Sequence, residues 1–322
     1  MAKAIEEKGR RKPLISVVMI SYNGERLVGE AIESLLKQTD TDFEVVMVDD
    51  SSTDATLRKM SESREKFKAL GMRCRIFQNA TNRGTGYSWD RAARLAETPW
   101  ICFLADDDLY MPARIANVKQ FIEKNPDLEW LYHDAVVLKE ATGKRHTYIT
   151  PEFNAGKDSM KLYFRNVLKN RFIFHNSIAI RKEVYEKAGG FQDLRGVEDF
   201  DFWMRLIEQG HLPKKMRGPP LFRYRSRGLD SSKFPYQKYY GAFTQSINGF
   251  LERNRGGDQE VVALAREFRI GIYIAYFMRC VRRGNFLLAL KVFGGMVRKD
   301  FSVLLFLKML LVKFFRIFKG EN

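Results

Sequence analysis

Cysteine is nearly absent from this chain. Cys74, Cys102 and Cys280 are the only three in 322 residues, and none lies at metal-ligand spacing from another. That argues against a structural zinc site and a disulfide framework, and an odd, sparse set points to a reducing compartment. Long apolar runs are also missing: the uninterrupted stretches fall short of the roughly 20 residues a spanning helix needs. The opening "MAKAIEEKGRRKP" carries charge with no apolar segment behind it, so no secretory leader is expected. There is no internal repeat and no low-complexity linker. A cytoplasmic protein is the expectation.

What the chain does have is apolar content of 45%, ordinary for a globular core, and a net charge of +16. Such a charge favours polyanions: nucleic acid, anionic lipid or a phosphorylated substrate. Its distribution is uneven. Acidic clusters sit in the first two thirds, whereas Arg266, Arg269, Arg279, Arg282, Arg283, Lys291 and the cations beyond them face only Glu267, Asp300 and Glu321. Acidic strand ends would repel nucleic acid at the face best built for a ligand, so no nucleic acid partner is expected.

Hydrophobic patterning alternates between two periods. "LISVVMISYN" (14–23), "FEVVMVDDSSTDAT" (43–56), "MRCRIFQNA" and "WICFLADDD" (100–108) read as buried parallel strands. "GERLVGEAIESLLKQ" (24–38), "LRKMSESREKFKAL" and "GYSWDRAARLAE" (86–97) read as the helices between them. This is the order of a doubly wound α/β sheet, in which ligands bind at the carboxyl ends of the strands. Further on, "EWLYHDAVVLKE" reads as one strand with a hairpin or loop around Gly143. "NSIAIRKEVYEKAGGF" reads as a strand running into a short helix, "VEDFDFWMRLIEQG" (197–210) as a helix, and "PLFRYRSRG" as a strand. From about 236 the pattern is helical to the end.

Three strands end in polar clusters: Ser21-Tyr22-Asn23, Asp49-Asp50 and Asp106-Asp107-Asp108. Carboxylates at i and i+2 on an extended strand end can share Mg²⁺ or Mn²⁺, hard cations that complete their shells with substrate phosphates. "SYN" offers an aromatic face for a base, and "VDDSS" carboxylates for a ribose hydroxyl or a base N–H. Far downstream, "GVEDFDFWMRL" supplies Glu198 and Asp199. Either could act as the lone carboxylate that a general base requires. Each cluster also has an ordinary reading, as a helix cap or a solvated turn.

The order of these motifs resembles family 2 glycosyltransferases of the GT-A fold. The resemblance runs from about Ile15 to about Arg227 and rests on "ISVVMISYNGERLVGEAIESLLKQT", "FEVVMVDDSSTDAT", "NATNRGTGYSWDRAARLAETPWICFLADDD", "SIAIRKEVYEKAGGFQD" and "EDFDFWMRL". It implies a Rossmann-like mixed sheet flanked by helices, with a C-terminal helical extension. It also implies a nucleotide-diphosphate sugar donor, usually with UDP, Mn²⁺ or Mg²⁺, and inversion by a single in-line displacement. On these positions Tyr22 would stack on the base, with Ser21 and Asn23 beside it. Asp50 and Arg83 would hold the base edge next to Asp49. Asp107, with Asp106, would approach the ribose, and Asp108, sharing with Asp106, the metal. Asp199, with Glu198 adjacent, would deprotonate the acceptor hydroxyl.

The chain departs from the family pattern at two places. Ala105 replaces the first aspartate of D-x-D-D, so which of Asp106–Asp108 share the metal is open. A histidine common after the late Tyr-Arg strand is missing, and Arg225 or Arg227 would supply that phosphate contact. A Q-x-x-R-W motif is absent too, which disfavours a processive synthase. A nucleotidyltransferase would want a Gly-rich loop with a basic residue after the first strand, and "SYNGERL" supplies none.

The expected organisation is a basic tail (1–13), a GT-A domain (14–230, divided at 108/109 into nucleotide and acceptor halves) and a basic amphipathic extension (231–322). In "FSVLLFLKMLLVKFFRIFK" (301–319), Lys308, Lys313, Arg316 and Lys319 fall within a sector of roughly 140°. That suits a helix lying on an anionic membrane surface on the inner face of the cell membrane. The acceptor expected is a saccharide or lipid-linked saccharide, as in bacterial surface polysaccharide or lipopolysaccharide assembly, with room for a homodimer. The alternatives are a catalytically degenerate GT-A protein and a basic membrane adaptor.

Overall fold

The computed structural model describes residues 13–194, 196–226 and 236–297. The chain begins with β1 (Ile15–Ser21), α1 (Val28–Leu36), β2 (Glu44–Asp49), α2 (Thr56–Ala69), β3 (Arg73–Gln78), α3 (Thr85–Leu95) and β4 (Trp100–Ala105). β5 (Leu109–Tyr110), α4 (Arg114–Glu123), β6 (Trp130–His133), β7 (Ala135–Lys139) and β8 (Arg145–Tyr148) follow. Then come α5 (Ser159–Leu168), β9 (Ala179–Arg181), α6 (Lys182–Lys187), α7 (Glu198–Glu208), β10 (Pro213–Met216) and β11 (Phe222–Ser226). Three helices close the described chain: α8 (Tyr236–Arg253), α9 (Gln259–Arg282) and α10 (Phe286–Val297).

A seven-stranded sheet runs in the order β10-β6-β9-β4-β1-β2-β3. β4, β1, β2 and β3 are parallel, and β9 runs antiparallel to both β4 and β6. β1 and β2 are buried along their whole length, as their unbroken β-branched and apolar runs require. Val17, Met19, Val45, Met47 and Leu104 join Val28, Ala31 and Leu35 of α1 in one core. The expected mixed α/β sheet with flanking helices is therefore present.

A second, four-stranded sheet, β5-β11-β7-β8, begins one residue after the aspartate cluster. Here the reading of "EWLYHDAVVLKE" needs correction. The run is not one strand: β6 belongs to the large sheet and β7 to the small one. The break falls at Asp134, whose carboxylate accepts from Thr150 N at 2.8 Å and pairs with Lys215 at 2.9 Å. These partners pull the chain from one sheet to the other. β7 and β8 form the expected hairpin, with Gly143 at a positive φ of 66°.

The described residues divide into two compact units. One comprises residues 13–159, 172–193 and 198–226, with both sheets; the other comprises 160–171, 194, 196–197 and 236–297. In the second unit Phe164 packs edge-on against Phe250, and Lys161 pairs with Asp258 and Glu260 at the start of α9. The Asp258 side chain caps α9 by accepting from Glu260 N and Val261 N. Among the described residues no helix is long and apolar enough to cross a membrane. Arg227 and residues 301–319 lie outside the described residues.

Candidate active site

β1, β2 and β4 are neighbours, so their carboxyl ends lie side by side. Both turns that leave β1 and β2 are left-handed at a non-glycine residue: Asn23 has φ 50° and Ser51 φ 64°. Such conformations cost on the order of 1 kcal/mol each and persist only where the surroundings impose them. Here the two turns lock together. Asn23 N donates to Ser52 Oγ at 3.0 Å, Thr53 N donates to Asn23 Oδ1 at 2.9 Å, and Gly24 N donates to Thr56 Oγ1 at 2.9 Å. Tyr22, at the tip, is 49% exposed and presents its ring to solvent.

Ser21 Oγ donates to Asp106 Oδ2, which ties β1 to the aspartate cluster on β4. Gly24 makes this possible. A Cβ at that position would lie 2.1 Å from Asp106 Oδ2 and 2.4 Å from Ser21 Oγ. Asp49 and Asp50 are both buried. Asp49 Oδ2 accepts from Ser52 N and Gln78 Nε2, while its Oδ1 is buried with no hydrogen-bond partner. Asp50 accepts from Asn79 Nδ2 at 2.6 Å, Arg83 N at 2.9 Å and Gly84 N at 2.8 Å. Asp50 and Arg83 are thus brought together, through the Arg83 backbone. The exposed Arg83 guanidinium lies over the Tyr87 ring, 4.1 Å from its centroid.

The three aspartates differ. Asp106 and Asp107 are half-buried, and Asp108 is 1% exposed. Asp108 Oδ1 accepts from Arg225 N at 2.7 Å and its Oδ2 accepts from Asn176 Nδ2. Burial, then the Asp107 charge, pushes the Asp108 carboxyl well above the usual carboxylate range. Arg225 also donates from Nε to Asp107 O at 3.0 Å and pairs with Glu30 at 2.6 Å. This arginine, expected at a phosphate, here braces the aspartate cluster through its backbone N–H and its guanidinium.

Asn176 was not legible as a site residue. Its Oδ1 accepts from Ala105 N at 3.0 Å while its amide holds Asp108, so it pins the end of β4 from both sides. Its neighbour His175 lies in an aromatic nest, with ring centroids 4.5 Å from both Trp89 and Phe103. Burial pulls this imidazole down to about 3, so it is neutral. His133 is also buried, against Arg114.

At the head of α7, Asp199 Oδ1 accepts from Phe200 N at 2.7 Å. Burial first, and then the adjacent Glu198 charge, raises Asp199 to about 7. A carboxyl at that value can exchange protons near neutrality. The helix is fixed by a buried ion pair, Asp201 with Arg205 at 2.7 Å. Arg205 also donates to Ala188 O and Gly190 O, anchoring α7 to the glycine turn of "AGGF".

These features make a carboxylate-rich edge at parallel strand ends, with a titratable carboxyl on a separate helix. A sequence profile described as glycosyl transferase family 2 matches residues 16–189, more than half of the chain. The chain belongs to glycosyl transferase family 2. A Haemophilus influenzae protein described as an uncharacterized glycosyltransferase is 34% identical over 208 residues, covering 64% of this chain and 66% of the relative. The Methanocaldococcus jannaschii glycosyltransferase MJ1057 is 28% identical over 236 residues, covering 72% and 78%. The chain thus matches just under two thirds of the first relative's length.

Solved structures share the fold. S. aureus TarS 1-349 in complex with UDP-GlcNAc aligns with a TM-score of 0.61 at 20% identity, covering 82% of this chain and 73% of that one. The mannosyltransferase PcManGT from Pyrobaculum calidifontis, in complex with GDP-Man and Mn²⁺, aligns at 0.59 and 16% identity, covering 97% and 82%. At these identities the likeness establishes the GT-A type of fold.

Among the described residues no group of three or more His, Cys, Asp or Glu is arranged to cage a metal. The donor set here is different in kind. It offers hard carboxylates at one strand end, which suits a cation that keeps waters and takes the rest of its shell from phosphates. Asp108 lies deepest of the three, with one oxygen engaged by Asn176 and the other by Arg225 N.

Proposed function

We propose that the protein transfers a hexosyl or N-acetylhexosaminyl group from a nucleotide-diphosphate sugar, UDP being the first candidate, to a hydroxyl of a saccharide or lipid-linked saccharide, with inversion. The observation that carries this reading is the division of labour among the carboxylates. Those at the strand ends are oriented by amide and hydroxyl donors, whereas Asp199, raised to about 7, stands apart on α7. An in-line displacement needs that separation: one face holds the leaving diphosphate, the other takes a proton from the attacking hydroxyl.

In this reading Tyr22 stacks on the base, and Asp50, Asp49 and the Arg83 loop frame it, with Ser21 and Asn23 setting the turn. Asp106 and Asp107, in place of the expected Asp106 and Asp108, would hold Mn²⁺ or Mg²⁺, with Asp108, Asn176 and Arg225 positioning them. A divalent cation bound there would neutralise the leaving diphosphate. Asp199 accepts the proton, and Glu198 tunes it. The fold shared with proteins solved with UDP-GlcNAc and with GDP-Man and Mn²⁺ supports a nucleotide-sugar donor. Residues 301–319 would rest on an anionic membrane near a lipid-linked acceptor, a setting that fits surface polysaccharide or lipopolysaccharide assembly.

The test is calorimetry with UDP-, GDP-, CMP- and dTDP-linked sugars, with and without Mn²⁺, on wild type and Asp107→Ala. The expected result is Mn²⁺-dependent binding of one donor, weakened at least about tenfold in the variant, the scale of one lost charge-assisted contact. A folded protein that binds none of them overturns the reading.

A further inference from the structure

The second unit carries a surface that sugar transfer does not explain. From Phe268 to Lys299 the sequence contains no Asp or Glu, while Arg279, Arg282 and Arg283 crowd the end of α9. The chain reverses there through Gly284, at a φ of 70°, into α10. Asn285 caps the new helix by accepting from Leu288 N at 3.1 Å. Beside this corner lies a cavity of about 380 Å³ whose lining includes Lys238, Tyr276, Arg279, Arg283 and Asn285. Partial burial, then the Arg283 and Arg282 charges, holds the Arg279 guanidinium below its usual value, as like charges gathered in one place must. An anion is the ligand whose charge such a lining complements.

The first turn of α10 has the opposite character. Ala289 and Val292 pack inward with Cys280 of α9. Phe286, Leu287 and Leu290 point outward and are 63%, 69% and 65% exposed. A helix on the surface of a soluble domain normally turns polar residues outward. A large aromatic and two leucines, three residues after an arginine pair, form instead the pattern of an interfacial segment.

We propose that the α9–α10 corner docks on an anionic phospholipid bilayer, with phosphate headgroups at the arginine-lined cavity and Phe286, Leu287 and Leu290 in the acyl boundary. A free phosphate would satisfy the cavity yet leave the apolar trio in water. A purely apolar surface would cover the trio yet offer no charge complementary to the cationic lining. A bilayer interface supplies both chemistries within one contact. This surface stands independently of the transferase reading and of residues 301–319.

Cosedimentation of the full chain with vesicles tests it. Wild type should partition onto phosphatidylcholine vesicles containing phosphatidylglycerol and only weakly onto phosphatidylcholine alone. At about fivefold per cation, Arg279→Gln/Arg282→Gln/Arg283→Gln should lower partition about 100-fold, with an unchanged melting curve. Leu287→Trp, at an exposed site, should be quenched by brominated lipid beyond the level seen for the wild-type tryptophans, which all lie between Trp89 and Trp203. Three results would each overturn the proposal. One is wild-type partition retained by the arginine triple but lost in Lys308→Gln/Lys313→Gln/Arg316→Gln/Lys319→Gln. Another is no added quenching of Leu287→Trp. The third is saturable binding of inorganic phosphate lost in the arginine triple while its vesicle partition is unchanged, which would assign the cavity to a soluble anion.

Discussion

At the amino-terminal ends of the parallel strands, Glu44 is fully buried between Ser16 Oγ at 2.6 Å and the Arg75 guanidinium at 2.7 Å. Arg73, Arg75 and Glu97 close an ion-pair network around it. At the carboxyl end of the same strand, Asp49 and Asp50 are just as deeply buried. Their hydrogen-bond donors are different: backbone N–H groups of Ser52, Arg83 and Gly84 and the amides of Gln78 and Asn79. Guanidinium groups neutralise a carboxylate and close the site. Dipolar donors orient it without adding positive charge, and so leave a negative field at the strand ends for a cation and a ligand. Burial alone does not distinguish the two ends; the kind of partner does.

The largest effect expected is at the functional end. Asp199→Asn should lower the turnover of sugar transfer by about 10²–10⁴-fold, the usual contribution of a general base, with donor affinity unchanged. Initial rates at saturating donor check this, and a variant with wild-type turnover would remove Asp199 from the chemistry. The amino-terminal network should behave in the reverse way. Glu44→Gln strips the buried partner from Arg75 and should cost about 3 kcal/mol of stability. That is a melting temperature lower by roughly 5–10 °C, with donor affinity intact. If Glu44→Gln instead weakened donor binding and left the melt unchanged, the contrast between the two ends would fail.

The sequence made the carboxyl edge of the sheet readable because buried strands must stop somewhere. Apolar runs that terminate in "SYN", "DDS" and "ADDD" mark three ends, and parallel alternation places them on one edge. What long-range partners decide was hidden. Asp134 breaks an apparently continuous strand only because Thr150 and Lys215 wait for its carboxylate. Asn176 reads as a polar residue before a short strand, and its hold on Ala105 and Asp108 needs the antiparallel return of β9 beside β4. β10, "PKKM", lacks any alternation and becomes a strand by pairing with β6 at the sheet edge. The distinct fates of Asp106, Asp107 and Asp108 were equally hidden, since all three are the same residue and only depth separates them.

The smallest effect predicted concerns Glu198, and it sharpens the contrast within one helix turn. Asp199 titrates at about 7 because burial and the Glu198 charge both oppose its ionisation. The unfolded chain releases that proton near the ordinary value of 3.8. Between these values the folded state holds a proton that the unfolded state has lost. The contribution of Asp199 to stability therefore falls as pH rises from about 4 to about 7, and stays low above that. Activity runs the other way, since only the deprotonated carboxylate can accept a proton. Turnover should rise with pH through a midpoint near the Asp199 value. Glu198→Gln removes the neighbouring charge but not the burial, so the midpoint should move down by less than about 1 pH unit, and the loss of stability on the alkaline side should shrink with it. Measuring turnover and melting temperature across the same pH series reads both limbs. An unmoved midpoint in Glu198→Gln would leave burial as the sole cause of the shift and deny Glu198 a tuning role.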